Sequence, residues 1–162
     1  MTREELRAFG LELREQVRAL ERAAEDMAEA RRAAGVAPSR VVLWACAGTL
    51  HAFYTGIEKA LETIAASLNS LPPAGPSWHR RLVERMAVDV ADVRPAVLSR
   101  ATVAELDDFL AFRHRYRNLY LFDLRWEPIR DLLDRAPALW ARVSGELLAF
   151  AEAMERIAAA DQ

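Results

Sequence analysis

The stretch "VVLWACAGTLHAFYTGI", Val41 to Ile57, decides the fold. It carries no formally charged side chain over 17 residues. That is near the lower limit of about 17 residues for crossing a bilayer. Thr49, His51 and Thr55 interrupt it, however, and it runs straight into Glu58 and Lys59. Polar groups at those depths are costly in hydrocarbon. A helix apolar nearly all round then belongs at the centre of a bundle, not in a membrane. The helix is expected from about Ser39 to Leu68.

Outward from it, the pattern stays helical. Leu6, Phe9, Leu13, Val17, Leu20, Ala24, Met27 and Ala30 recur at spacings of three and four, with Arg and Glu opposite. Thr2 and Glu5 form a capping-box pattern at the start, and Gly35 is a stop signal before Pro38 and Ser39. "LNSLPPAGPS" reads as a loop. "WHRRLVERMA" is a short helix, and Pro95 makes "VDVADVRPAVLS" irregular. Thr102 and Glu105 suggest a second capping box, opening a helix that ends near Leu121 to Asp123. "RWEPIRDLLDRA" is expected as another short helix, with Pro137 beginning a last one to about Ala160. There is no strand pattern. The expected fold is all-α, an up-and-down bundle of four to five main helices in a single domain over residues 1–162.

The composition agrees. Of 162 residues, 52% are apolar and 28% charged, which is globular rather than disordered. A net charge of -2 gives no overall pull toward nucleic acid, so any anion must be held by a local basic patch. Cys46 is the only cysteine. It excludes an internal disulfide and a cysteine-based zinc cage, and it suits a reducing, cytoplasmic setting. "MTREELRAFG" is charged from the start, so no secretory leader is expected. No phosphate-binding glycine loop, nucleophilic triad or zinc spacing is present, so neither cofactor nor metal is expected.

The chemistry concentrates in "FRHRYRNLYLFDLRW", Phe112 to Trp126. On a helix, Leu106, Phe109, Leu110, Arg113, Tyr116, Arg117 and Tyr120 share one broad stripe. Asp107, Ala111, His114 and Asn118 share its neighbour, about 100° around the axis. Arg offers a planar fork for phosphate, and His moves protons near neutral pH. Asn can orient an oxygen but cannot transfer a proton. Arg80, Arg81, Arg85, Arg115, Arg125 and Arg130 add local positive charge. This inventory suits a phosphate diester; a solvated Arg-rich face is the plainer alternative.

The window R-H-R-Y-R-N-L-Y resembles the signature of the HEPN superfamily, and within it the HepT-like toxins. That signature is Arg, a polar residue, a few variable positions, His, and often x-Tyr. Arg113, His114 and Tyr120 match it, while Asn118 stands where the signature has His. "FYTGIEKALETIA", "SWHRRLVERM" and "FDLRW" are also similar to segments of such proteins, so the resemblance covers most of Thr49 to Trp126. It implies a helical bundle that pairs as a homodimer, with the motifs meeting in an interface cleft. It implies a metal-independent endoribonuclease toxin of a bacterial toxin–antitoxin pair, in which the RNA 2′-hydroxyl attacks the adjacent phosphate. It also implies a minimal nucleotidyltransferase antitoxin as partner, able to transfer AMP to Tyr120.

Asn118 leaves three readings open. His114 takes over proton transfer, with Arg113 on the phosphate and Asn118 orienting a hydroxyl. Alternatively the chain is a non-catalytic HEPN interaction module, or the substrate-binding partner of a nucleotidyltransferase. Or Asn118 was introduced to tolerate a toxin. Arg115 and Arg117 are candidate RNA contacts, and Glu58 is a candidate buried partner that would fix Arg113. His51, Thr55, Glu58 and Glu62 align on the second helix, but the Glu-x-x-His pairs of a di-metal centre are absent. His79 reads as a local packing or capping residue at a helix start. Trp44, Trp126 and Trp140 read as core or interface anchors.

Overall fold

The computed structural model describes residues 1–68, 75, 77–91, 93–118 and 124–160. They form five helices: α1 (Arg3–Ala34), α2 (Arg40–Ser67), α3 (Trp78–Met86), α4 (Arg100–Asn118) and α5 (Trp126–Ala160). Among the described residues there is no strand, only an isolated bridge between Val90 and Arg94. No helix among them is long and apolar enough to cross a membrane.

Local chemistry sets the helix ends. Thr2 and Glu5 close the expected capping box on α1, and Gly35 ends that helix at a positive φ of 54°. Ser39 caps α2 by accepting from the Val42 N–H. The expected box at Thr102 and Glu105 does not form. Ser99 caps α4 instead, its Oγ accepting from the Thr102 N–H at 3.2 Å. Thr102 is buried inside the helix and donates to Glu146 on α5, while Glu105 pairs with Arg142. A Ser three residues before Thr102 reaches the free amides first. The expected end near Leu121 to Asp123 lies outside the described residues.

The two expected C-terminal helices are one. α5 passes through Pro137 without a break. An interior proline loses a backbone hydrogen bond and costs about 3 kcal/mol. The apolar stripe nevertheless keeps helical phase across it: Ile129, Leu132, Leu133 and Ala136 before, Leu139, Val143, Leu147 and Phe150 after, all buried. Burial worth about 1.5–3 kcal/mol per large side chain outweighs the lost bond.

α1 and α5 form the long antiparallel pair. Phe9 meets Phe150 edge-on, Arg14 pairs with Glu155, and Arg31 pairs with Asp134 at 2.6 Å. α2 packs against all four other helices, as its apolar sequence requires. Phe53 sits at its centre, edge-on to both Phe109 and Trp140. The segment between α3 and α4 is organised by Arg94, buried with its guanidinium donating to the carbonyls of Arg85, Val88 and Pro95. That frame brings one face of α2, the start of α3 and the last turns of α4 together.

Candidate active site

Five polar or charged residues are buried among those described: Glu58, His79, Arg94, Thr102 and Arg113. Three of them form one cluster. Glu58 comes from α2, His79 from α3 and Arg113 from α4, with exposures of 4%, 6% and 8%. The Arg113 Nη2 lies 3.1 Å from Glu58 Oε1. The second carboxylate oxygen, Oε2, is 2.5 Å from His79 Nδ1. The triangle closes where Arg113 Nη1 meets His79 Nε2 at 3.5 Å. The expected pairing of Glu58 with Arg113 is thus present, and each carboxylate oxygen has its own partner.

Electrostatics follows from burial. Desolvation pushes the Glu58 carboxyl up, opposed by Arg113, His114 and Arg117. Desolvation, then Arg113 and Arg117, pushes the His79 imidazole down, with Glu62 opposing. A buried cation with a carboxylate and a neutral imidazole is a net-neutral set.

His114 follows Arg113 on α4 but points outward. Its ring sits edge-on to His79 with centroids 5.5 Å apart. Partial desolvation, then His79 and Arg113, pushes its imidazole down, so it is a neutral base at pH 7. It lines a surface groove of about 410 Å³ together with Ser77, Arg80, Leu110, Ala111 and Arg115. Arg80 is paired with Asp107 at 3.3 Å.

The remaining predicted residues are spread around this point. Arg115 and Arg117 are exposed. Asn118 is exposed at the last position of α4, and its amide donates to the His114 carbonyl at 2.8 Å. The side chain that stands in the signature's His position is therefore turned back along its own helix. Tyr120 lies outside the described residues. Among the described residues no group of three or more His, Cys, Asp and Glu is arranged to hold a metal ion.

Two contributors were not legible as site residues. His79 does pack locally on Trp78, but it is not a capping group; its polar partners are 21 and 34 positions away. The other is Tyr54, one turn before Glu58. Its hydroxyl is buried without a partner among the described residues, and burial and the Glu58 charge push it up. Behind the cluster, Trp44, His51 and Phe112 surround the half-buried ring of Tyr116.

An all-α bundle whose fourth helix carries Arg113 and His114 is what the resemblance to the HEPN superfamily implies. The model of the family described as HepT-like protein matches residues 45–154, from the first turns of α2 into the last part of α5, and the chain belongs to that family. No curated protein and no solved structure matches it.

Proposed function

We propose that this HepT-like protein is a metal-independent endoribonuclease and acts as the toxin of a toxin–antitoxin pair. The observation that carries the proposal is that Arg113 and His114 are neighbours on α4 with opposite settings. One is fixed in the core by Glu58, and the other is presented as a neutral imidazole on the adjacent groove. Arginine has five N–H donors, and the cluster uses one on each Nη. The second hydrogen on each Nη remains for a phosphate oxygen. His114 accepts the proton of the RNA 2′-hydroxyl. The new bond joins that 2′-oxygen to phosphorus, and the phosphorus–5′-oxygen bond breaks. The products are a cyclic phosphate and a 5′-hydroxyl that takes its proton from solvent. Asn118 orients the reacting hydroxyl through its amide oxygen.

Arg80 and Arg115 on the groove, with Arg117 nearby, give the local positive charge that RNA binding needs on a chain of net charge -2. A homodimer placing two such grooves face to face supplies the cleft. A small nucleotidyltransferase is the proposed antitoxin, Tyr120 its AMP acceptor, and the cytoplasm the setting. All three rest on the family resemblance.

The test is RNA cleavage in excess chelator by this protein, Arg113→Ala and Asn118→His. Cleavage that disappears with Arg113 supports the proposal. Absence of cleavage in all three removes it. A second reading, a non-catalytic binding module, is favoured by the commitment of the Asn118 amide to the His114 carbonyl. It predicts silence in this protein with RNA or partner binding intact.

A further inference from the structure

The hydrogen-bond geometry around His79 points to one tautomer. An ionised carboxylate only accepts, so with Glu58 charged beside Arg113 the 2.5 Å contact puts a proton on Nδ1. A guanidinium only donates, so Nε2, facing Arg113 Nη1, must carry a lone pair. His79 is thus the neutral Nδ1–H tautomer. Trp78 packs on its ring in a tilted arrangement, with centroids 3.7 Å apart.

We propose that His79 is a positioning residue for Arg113: the Glu58–His79 pair holds the guanidinium while it shares one proton, and a second proton releases it. The second proton goes to Nε2, where it replaces the acceptor with a donor and sets a cation against Arg113. Arg113 then loses one of its two inward partners, and the buried set changes from neutral to singly positive. The groups facing His79 are Glu58 and Glu62 from α2, Arg113, His114 and Arg117 from α4, and the neutral Trp78 on its own helix. Three of these are basic and close to the ring, so a charged imidazole is opposed from the α4 side. Burial, Arg113 and Arg117 hold the imidazole down, which leaves the guanidinium held at neutral pH and released by acid.

The proposal deepens the ribonuclease reading, since it rests on Arg113 being the phosphate contact; its first test does not. Imidazole nitrogen NMR at neutral pH should show His79 protonated on Nδ1 and bare on Nε2. Arginine side-chain NMR should show Arg113 with slowed, distinct Nη groups. On acidification the Arg113 signals should average at the same midpoint as the His79 titration. In His79→Asn, which keeps an N–H donor toward Glu58 but does not titrate, that midpoint should vanish. An Nε2–H tautomer overturns the proposal, and so do Arg113 signals that ignore His79 or a midpoint unchanged in His79→Asn. A merely structural His79 would not couple these two titrations.

RNA binding is then followed against pH in a His114→Asn background, which removes the neighbouring imidazole's charge. Affinity should fall about tenfold through the same midpoint, the worth of one charge-assisted hydrogen bond. Coupled NMR titrations with pH-independent RNA binding support the positioning role and remove Arg113 as the phosphate contact.

Discussion

Replacing Glu58 with alanine strands the Arg113 guanidinium in the core. Both side chains are more than nine-tenths buried, and among the described residues Arg113 has only His79 as its other partner. Removing one member of a buried pair costs about 3–5 kcal/mol, because the remaining charge stays desolvated. Against a total stability of about 5–15 kcal/mol that is a large fraction. The reverse change is milder. In Arg113→Met the carboxylate keeps its contact with His79, and that imidazole can take up a proton and become the counter-ion. The expected cost is about 1–3 kcal/mol. A Glu58→Leu, Arg113→Leu double variant removes both charges and should recover most of the Glu58→Ala loss. Urea unfolding followed by far-UV circular dichroism reads all three differences. A Glu58→Ala loss under about 1 kcal/mol, the range of exposed pairs, refutes the buried pair. So does a larger loss in Arg113→Met than in Glu58→Ala.

Other outcomes follow from the same structure. Tyr54→Phe should be neutral or stabilising by about 1 kcal/mol, since its buried hydroxyl has no partner among the described residues; a clear loss on denaturation would reveal one. Pro137→Ala restores an interior hydrogen bond in α5 and should add about 1–3 kcal/mol, and a lower melting temperature would contradict this. Cys46, buried with its thiol pushed up by desolvation, should react with a thiol reagent only at the unfolding rate; fast labelling of the native protein would refute its burial. His51, His79 and His114 are all pushed down, burial being the first cause in each. The unfolded chain therefore gains protons first as pH drops below about 6.5, and stability falls until the folded imidazoles titrate. Glu58, pushed up, works the other way nearer its ordinary value and offsets part of the loss. Stability that is flat or rising between about pH 7 and pH 5 would contradict this assignment of protons.

Much of the fold is written in local chemistry. The box at Thr2 and Glu5, the stop at Gly35 and the apolar run of Val41 to Ile57 each act within a few residues, and each is found as read. Pro137 is different. Its local preference is to start a helix, and only the unbroken apolar phase on both sides, packed on α1, carries α5 through it. The Ser99 cap was hidden in the same way, because Thr102 and Glu105 match the box pattern but face α5.

The site divides along the same line. Arg113 and His114 were legible as a dense run of chemistry on one helix. The link from Glu58 to Arg113 was legible because a buried carboxylate on an apolar helix needs a cation. His79 was not, because its role depends on how α3 docks between α2 and α4, which the sequence around Trp78 does not encode by itself. The direction of Asn118 was likewise set by a hydrogen bond to its own helix, not by residue type.

The central claim is tested most directly by the chemistry of the cut. An end-labelled RNA and its 2′-O-methyl counterpart are incubated with this protein in excess chelator, and the product ends are identified. A 2′,3′-cyclic phosphate and a 5′-hydroxyl from the RNA, with the methylated strand intact, is the predicted result. Cleavage of the methylated strand, products with a 5′-phosphate, or an RNA left whole would contradict it.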